Sequence, residues 1–189
     1  TISLGVKPLT AGGLIGIFTA PFIHGSLEHL FNNTLPLLIL GSVLFYGYRK
    51  TWLRVLLFVW ISSGVGVWIL GRDAYHIGAS GLTHGLFFYL FVVSIFRRDK
   101  SSIGIMMIAF LMYGGMTMSI FPREEAISFE YHFFGALAGL LAAIIWRHVD
   151  PKPIEKKYDW EMEQEPEDED NYWSSDLESD STKSKHNLH

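Results

Sequence analysis

The sequence contains no cysteine, and acidic side chains are scarce in its first 149 residues. The absence of cysteine excludes a disulfide framework and thiolate zinc sites, so histidine is the main candidate for a soft metal ligand. Residues 1–149 carry ten Lys/Arg and six Asp/Glu, whereas residues 150–189 carry five and thirteen. This change in charge divides the chain into two segments of different character.

Long polar stretches are also missing before residue 150, where apolar runs dominate. Hydrophobic residues make up 49% of the chain although its last forty residues are strongly polar, a distribution typical of a membrane protein. Five runs approach or reach the roughly 20 residues that a spanning helix needs: 30–46, 52–70, 82–96, 103–121 and 133–149. We therefore predict an all-α membrane protein with five transmembrane helices in this chain.

Two segments fall outside the predicted spans. Segment 9–23 is apolar, but its fifteen residues include three glycines and a proline, so we predict a re-entrant or interfacial segment. Residues 150–189 combine acidic runs with Ser and Lys and have too little apolar surface to fold, which predicts an acidic disordered tail. The predicted membrane domain is accordingly 1–149.

Basic residues divide unevenly between the two sides of the predicted bundle. Ten lie between the first and second spans, between the third and fourth, or within residues 147–157 at the end of the last. The other side has three, namely Lys7, Arg72 and Arg123. Because Lys and Arg accumulate on the cytoplasmic side of membrane proteins, we predict a cytoplasmic carboxyl terminus.

Polar residues recur where the first, third and fifth spans begin on the outer side. They are His24, His29 and Asn33; Ser80 and His84; and His132. A single histidine there would be read as an interhelical hydrogen bond. Ionisable groups inside a membrane are costly, however, so their recurrence at one depth on three helices indicates a functional site.

Ser80 lies in the sequence Gly78-Ala-Ser-Gly81, where a loop gives way to an apolar run. The glycines permit a sharp turn, and the start of a helix offers unpaired N–H groups to a developing oxyanion. A nucleophilic hydroxyl needs a base, and His132 is the candidate because histidine titrates near neutral pH. No acidic residue has an obvious place as a third member, so we predict a Ser80–His132 dyad.

His29 and Asn33 are the candidate donors to the oxyanion. They are four residues apart, about 40° around a helix, so both can point to one place. His24 precedes His29 by five residues, about 140° around a helix, and would point elsewhere. We assign His24 to packing or gating.

Small residues four apart occur on both helices that would carry the dyad. Gly81 and Gly85 follow Ser80, and Gly135 and Gly139 follow His132. Such pairs let helix backbones come close in a membrane. Close crossing of these faces would bring the hydroxyl and the imidazole together, although this spacing is also common where helices merely pack.

Three other interpretations stay open at this point. The glycines around Ser80 are compatible with a tight helix start in any membrane protein. A bundle of this kind can also bind other membrane proteins without catalysis. A metal or haem site of His29, His84 and His132 is a third alternative, but it leaves Ser80 and Asn33 unexplained.

Four motifs follow one another in a specific order and spacing: Leu4-Gly-Val-Lys-Pro8, His24-x4-His29-x3-Asn33, Gly78-Ala-Ser80-Gly81 and His132-x2-Gly135-x3-Gly139. Together they cover nearly all of residues 4–149. With these motifs the chain resembles the rhomboid intramembrane serine proteases.

The resemblance implies an endopeptidase that cleaves transmembrane protein substrates within or near the outer leaflet, without a cofactor or nucleic acid. It implies Ser80 as the nucleophile and His132 as its base. The oxyanion hole would consist of His29, Asn33 and the Ser80 amide, with Gly78 in the loop that precedes the serine.

The resemblance also implies a six-helix bundle in a bacterial inner membrane, with segment 9–23 as a membrane-embedded first loop. The family's first helix would precede Leu4 and is absent from this sequence, so we expect the chain to be part of a longer protein. His84 stands where many members have a tyrosine that stacks on the catalytic histidine. It is expected to stack likewise, or to reach Ser80 as an alternative base.

Overall fold

The computed structural model describes residues 2–122 and 128–152. In these residues the helices are α1 (Ala11–Thr19), α2 (Leu27–Gly47), α3 (Trp52–Leu70), α4 (Ser80–Arg97), α5 (Lys100–Tyr113) and α6 (Phe129–Trp146). Short 3₁₀ turns cover Ile2–Leu4, Ala20–Phe22 and Gly114–Thr117. The described part of the chain forms no β-strand beyond one bridge between Val6 and His76, so the predicted all-α class is confirmed.

Four helices, α2, α3, α4 and α6, are long and apolar enough to cross a membrane. Large apolar side chains lie exposed on the outside of the bundle, for example Leu38, Leu111 and Ile145. Such a surface is stable against lipid tails and unfavourable in water. The chain is therefore an integral membrane protein with several spans, as predicted.

The short helix α1 packs beside α3 rather than crossing the membrane by itself. It has nine residues and continues into the 3₁₀ turn Ala20–Phe22, where Pro21 follows the helix. The Trp60 indole donates from Nε1 to the Ile17 carbonyl oxygen at 2.9 Å, which fixes α1 on α3. Segment 9–23 is thus too short to span, in agreement with its sequence.

The predicted span 103–121 is shorter as an α-helix than expected. α5 ends at Tyr113 after fourteen residues, and the 3₁₀ turn Gly114–Thr117 follows. Two consecutive glycines at this point disfavour further α-helix. With rises of 1.5 and 2.0 Å per residue, the two segments together extend about 29 Å. This length approaches the roughly 30 Å of the hydrocarbon core, but α5 is not among the four helices that are long enough to cross a membrane, so the fourth predicted span is not confirmed as one continuous helix.

Helix α4 lies at the centre of the bundle and contacts α2, α3, α5 and α6. Most of its side chains are buried, including Leu86, Phe87, Tyr89 and Leu90. We call the end of the bundle where α2, α4 and α6 begin the site end, and the opposite end the tail end. Because α4 is enclosed by its neighbours, the position of its first residue, Ser80, is set by the whole bundle.

The helices at the site end differ in how they begin. Ser26 caps α2 by accepting from the His29 N–H at 3.0 Å, and Ser128 caps α6 by accepting from the Tyr131 N–H at 3.3 Å. The residue before α4 is Ala79, which has no side-chain acceptor. The first N–H groups of α4 are therefore not taken by a side-chain cap.

Helices α4 and α6 approach each other closely along two pairs of glycines. A Cβ at Gly135 would overlap the carbonyl oxygen of Gly81, and a Cβ at Gly139 would overlap that of Gly85. Gly81 also lies directly against the Tyr131 ring. The absence of side chains thus lets the two backbones touch, which is the main source of helix attraction inside a membrane.

A buried polar network closes the tail end. Arg97, the last residue of α4, donates to the carbonyl oxygens of Asp150 at 2.7 Å and Pro151 at 3.0 Å. The Asp150 carboxylate accepts from the Lys50 N–H at 2.7 Å and from the Thr51 hydroxyl. Arg97 also donates from Nε to the Asp99 carboxylate at 3.0 Å, so both buried charges have polar partners, as their burial requires.

The predicted domain boundary falls inside this network. We expected the tail to begin at residue 150, whereas Asp150 is buried and bound to the loop between α2 and α3. The packed bundle therefore continues at least to Pro151. The remainder of the predicted disordered tail, 153–189, lies outside the described residues.

Replacing Gly135 by alanine tests the close contact of α4 and α6. The added methyl group would meet the Gly81 carbonyl oxygen, so we expect a lower midpoint of thermal unfolding in detergent. Overpacking of this kind costs about 1–3 kcal/mol. Gly104→Ala is the matched control, because a Cβ there meets nothing within 4 Å. Equal midpoints for the two variants would contradict the contact.

Candidate active site

A cavity of about 720 Å³ opens at the site end. Its lining includes five of the six polar side chains that the sequence assigned to one depth: His29, Asn33, Ser80, His84 and His132. These residues come from α2, α4 and α6, which are distant in the chain. The fold therefore gathers them around one space that is large enough for a stretch of peptide.

Ser80 follows a sharp turn at Gly78. Gly78 has a φ of +101°, which L residues rarely adopt. A Cβ at this position would also lie 2.7 Å from His29 Nε2. The Gly78 N–H donates to the Ala20 carbonyl oxygen at 2.9 Å, which fixes the turn against the segment after α1. Glycine is thus required at position 78 both by the backbone and by the histidine beside it.

The His132 ring is oriented by a backbone carbonyl. Its Nδ1 lies 2.9 Å from the Ser119 carbonyl oxygen, which can only accept a hydrogen bond. Nδ1 therefore carries the proton, and the neutral ring keeps a lone pair on Nε2. Within the described residues Nε2 has no hydrogen bond, and none joins it to Ser80 Oγ. Hydrogen bonds between catalytic groups often tighten only when substrate binds.

His84 stacks on His132, with ring centroids 3.9 Å apart and planes inclined by 9°. Its Nδ1 lies 2.7 Å from the Ser80 carbonyl oxygen, and its Nε2 lies 2.7 Å from Ser119 Oγ. His84 thus reaches Ser80 through the backbone and not through the hydroxyl. With both nitrogens engaged, it has the geometry of a stacking partner and not that of an alternative base.

His29 and Asn33 present donors beside Gly78. The Gly25 N–H donates to His29 Nδ1 at 3.5 Å, so the proton of the neutral ring is on Nε2, the atom that faces Gly78. The Asn33 amide donates one N–H to the His29 carbonyl oxygen at 2.9 Å, and its second N–H has no partner in the described part of the chain. Two N–H donors therefore point toward the turn that precedes Ser80.

His24 lies outside this cavity and contacts it through His29. The two rings meet edge to face, with centroids 5.1 Å apart and planes inclined by 73°. His24 lines a second, mostly apolar cavity between α2 and α3. Its assignment to packing or gating stays a prediction.

The acidic residue nearest to His132 in sequence is paired elsewhere. Glu130 is buried, and its Oε1 lies 3.5 Å from Arg72 Nε and 3.4 Å from the Arg72 N–H. Among residues 2–122 and 128–152, no carboxylate contacts His132. The group that orients the imidazole is therefore neutral.

The alternative metal site of His29, His84 and His132 does not fit these contacts. Both nitrogens of His84 and Nδ1 of His132 bind groups of the protein itself. In the ranges that the structure describes, no three His, Asp or Glu side chains are grouped so that they could hold one ion.

Sequence reasoning missed two residues that organise the site end. His76 is buried, and its Nδ1 lies 2.6 Å from the hydroxyl of Ser128, the cap of α6. This hydrogen bond joins the loop that leads to Ser80 to the helix that carries His132. The position of His76 four residues before Ser80 was a usable signal. There was no such signal for Ser119, because it contacts His132 through its backbone carbonyl.

The comparisons with known proteins agree with this architecture. A model of the Rhomboid domain matches residues 11–148. An uncharacterised protein of Mycobacterium bovis is 33% identical over 150 residues, which are 75% of this chain and 62% of that protein. An uncharacterised protein of Mycobacterium leprae is 34% identical over 151 residues, 75% of this chain and 59% of its own.

A candidate rhomboid protein of Acanthamoeba polyphaga mimivirus is 24% identical over 144 residues, which are 72% of this chain and 78% of that protein. The chain spans about three fifths of the length of the mycobacterial relatives. No solved structure matches it.

The burial of His76 predicts a pH dependence of stability. Burial lowers the pKa of His76 from its ordinary 6.5, which outweighs the opposite effects of the Arg72 carbonyl and Glu130. The unfolded chain then binds the proton more readily. The contribution of His76 is complete above the unfolded pKa and is lost as the pH falls through the lower folded value.

We therefore expect the midpoint of thermal unfolding in detergent to fall between about pH 7 and pH 5. The slope should be smaller in His76→Gln, whatever the absolute stability of that variant. Identical slopes in the two proteins would show that His76 does not titrate with unfolding.

Proposed function

The chain belongs to the rhomboid family of membrane proteins, and on that premise we propose that it is a serine endopeptidase that cleaves transmembrane proteins. The observation that carries the proposal is one cavity lined by Ser80, by His132 with an unbound Nε2, and by two donors, His29 and Asn33. A non-catalytic member of the family that only binds other membrane proteins would need none of these four groups.

In the first step the Ser80 hydroxyl attacks the carbonyl carbon of the scissile peptide bond. As the Oγ–C bond forms, the hydroxyl proton passes to the lone pair on His132 Nε2. The substrate carbonyl oxygen takes the negative charge and accepts hydrogen bonds from His29 Nε2, Asn33 Nδ2 and the Ser80 amide. The N-terminus of α4, which has no side-chain cap, adds the positive end of the helix dipole.

In the second step His132 gives the proton to the departing amide nitrogen as the C–N bond breaks, and an acyl ester remains on Ser80 Oγ. A water molecule then attacks the ester carbon and passes its proton to His132 Nε2. In the tetrahedral intermediate that results, the bond between the carbon and Ser80 Oγ breaks. His132 returns the proton to Ser80 Oγ, and the carboxyl product is released. Since His132 carries every proton, the reaction needs no cofactor.

We assign the site end to the outer side of the membrane from the distribution of Lys and Arg. The cavity opens at this end, so water could reach Ser80 without crossing the bilayer. The scissile bond would then lie in, or close to, the outer-leaflet part of a substrate's transmembrane segment. The carboxyl terminus would face the cytoplasm, and the mycobacterial relatives support a bacterial inner membrane.

Labelling by a fluorophosphonate tests the nucleophile. We expect the full chain in detergent to be labelled, and Ser80→Ala and His132→Ala to lose the label because the first lacks the hydroxyl and the second its base. Ser94→Ala is the matched control on the same helix, since its buried hydroxyl only donates to the Leu90 carbonyl oxygen at 2.7 Å. Equal labelling of the parent and Ser80→Ala would refute the assignment.

Turnover of Asn33→Ala tests the oxyanion donor. The hydrogen bond strengthens only as charge develops, so kcat should fall far more than KM rises. Loss of one donor typically costs about 100- to 1000-fold in kcat, and we expect the lower end because His29 remains. The thermal midpoint should stay within a few degrees of the parent. A variant that melts much earlier yet turns over normally when folded would make Asn33 a structural residue.

A further inference from the structure

Ser119 contacts both stacked imidazoles at the site end. It lies two residues beyond the 3₁₀ turn Gly114–Thr117. Its carbonyl oxygen is 2.9 Å from His132 Nδ1, and its hydroxyl oxygen is 2.7 Å from His84 Nε2. One residue that follows α5 therefore binds side chains from α6 and α4.

The hydrogen bond to His84 can form in either protonation state of that ring. Its Nδ1 faces the Ser80 carbonyl oxygen and so carries a proton. In the neutral ring Nε2 accepts from the Ser119 hydroxyl. In the charged ring Nε2 donates to the same oxygen, and the hydroxyl can then donate to the Met116 carbonyl oxygen, which lies 2.9 Å away. The anchor therefore does not depend on the charge of His84.

The two contacts fix different properties of the site. The carbonyl selects the tautomer of His132 that leaves Nε2 as the acceptor. The hydroxyl holds the plane of His84, and the parallel stacking at 3.9 Å transmits that plane to His132. Together with the bond from His84 to the Ser80 carbonyl, they connect the three residues of the site in one chain of contacts.

We infer that Ser119 is a positioning residue that holds the His132 and His84 rings parallel, with its carbonyl on one ring and its hydroxyl on the other. The catalytic consequence rests on the proposed function: the lone pair of His132 Nε2 stays aimed into the cavity where the Ser80 hydroxyl lies. A small misorientation of a base is costly, because proton transfer needs a short and aligned path.

The kinetic test compares Ser119→Ala with Ser119→Thr in the full chain in detergent. Ser119→Ala should lower kcat and the rate of fluorophosphonate labelling about tenfold, with KM within about twofold, since ring alignment and not binding is impaired. Ser119→Thr keeps the hydroxyl and should restore most of the rate. Thr117→Val is the matched control, because it removes a hydroxyl of the same turn that only donates to the Gly114 carbonyl oxygen.

A double-mutant cycle separates anchoring of His84 from a general loss of structure. His84→Phe keeps an aromatic ring but has no nitrogen for Ser119 to hold. Adding Ser119→Ala to His84→Phe should therefore change the labelling rate by less than about twofold, although it costs tenfold in the parent. Equal costs in the two backgrounds would overturn the inference.

A second measurement does not depend on activity. Nitrogen NMR of the full chain with labelled histidine in micelles should show both His132 and His84 protonated on Nδ1. Ser119→Ala should move the Nε2 signal of His84, whereas Thr117→Val should not. Finding His132 protonated on Nε2 instead would overturn the inference.

The outcomes distinguish this inference from the proposed function. If the parent is never labelled but the His84 signal depends on Ser119, the positioning stands and the protease proposal fails. If the parent is labelled and Ser119→Ala matches Thr117→Val in both rate and spectrum, the protease proposal stands and the role of Ser119 is refuted.

Discussion

The contact between the backbones of α4 and α6 is the constraint on which the rest of the structure depends. A bilayer gives helices no hydrophobic reason to associate, so they must gain contact by packing closely. Gly81 and Gly85 provide this on one helix, and Gly135 and Gly139 on the other. Gly81 follows Ser80 by one residue, and its contact partner Gly135 follows His132 by three. The close approach of the two helices therefore also constrains the separation of the hydroxyl and the imidazole.

The imidazole of His132 is oriented without a charged partner. A carboxylate beside it would have to be desolvated at membrane depth, which costs several kcal/mol unless the charge is paired. The Ser119 carbonyl oxygen selects the same tautomer through one directed hydrogen bond and carries no net charge. The buried Glu130 is paired with Arg72 instead. A basic lone pair is thus obtained at little electrostatic cost.

The spans and the gathering of polar side chains could be predicted because both follow from local patterns, the length of apolar runs and the position of a residue at a helix start. Other features depend on contacts between distant residues and leave no such pattern. α5 ends at Tyr113, before the predicted end of its span. Asp150 is buried where Arg97 donates a hydrogen bond to its backbone carbonyl oxygen. Ser119 contacts His132 through its backbone carbonyl and His84 through its hydroxyl, and His76 contacts a helix cap, so their residue types alone did not reveal them.

The buried network at the tail end bears on how deep the cavity would lie in the bilayer. Arg97 and Asp150 form a polar group that is stable near the membrane surface and unfavourable at its centre. Ser80 is seventeen residues earlier on the same helix, which is about 26 Å along the axis. With this group at one surface of a hydrocarbon core of roughly 30 Å, the serine would lie only a few ångströms beneath the opposite headgroups. The length of α4 would therefore set the depth of the serine in the membrane. One inserted or deleted helical turn would shift the hydroxyl by about 5.4 Å relative to the lipid surface.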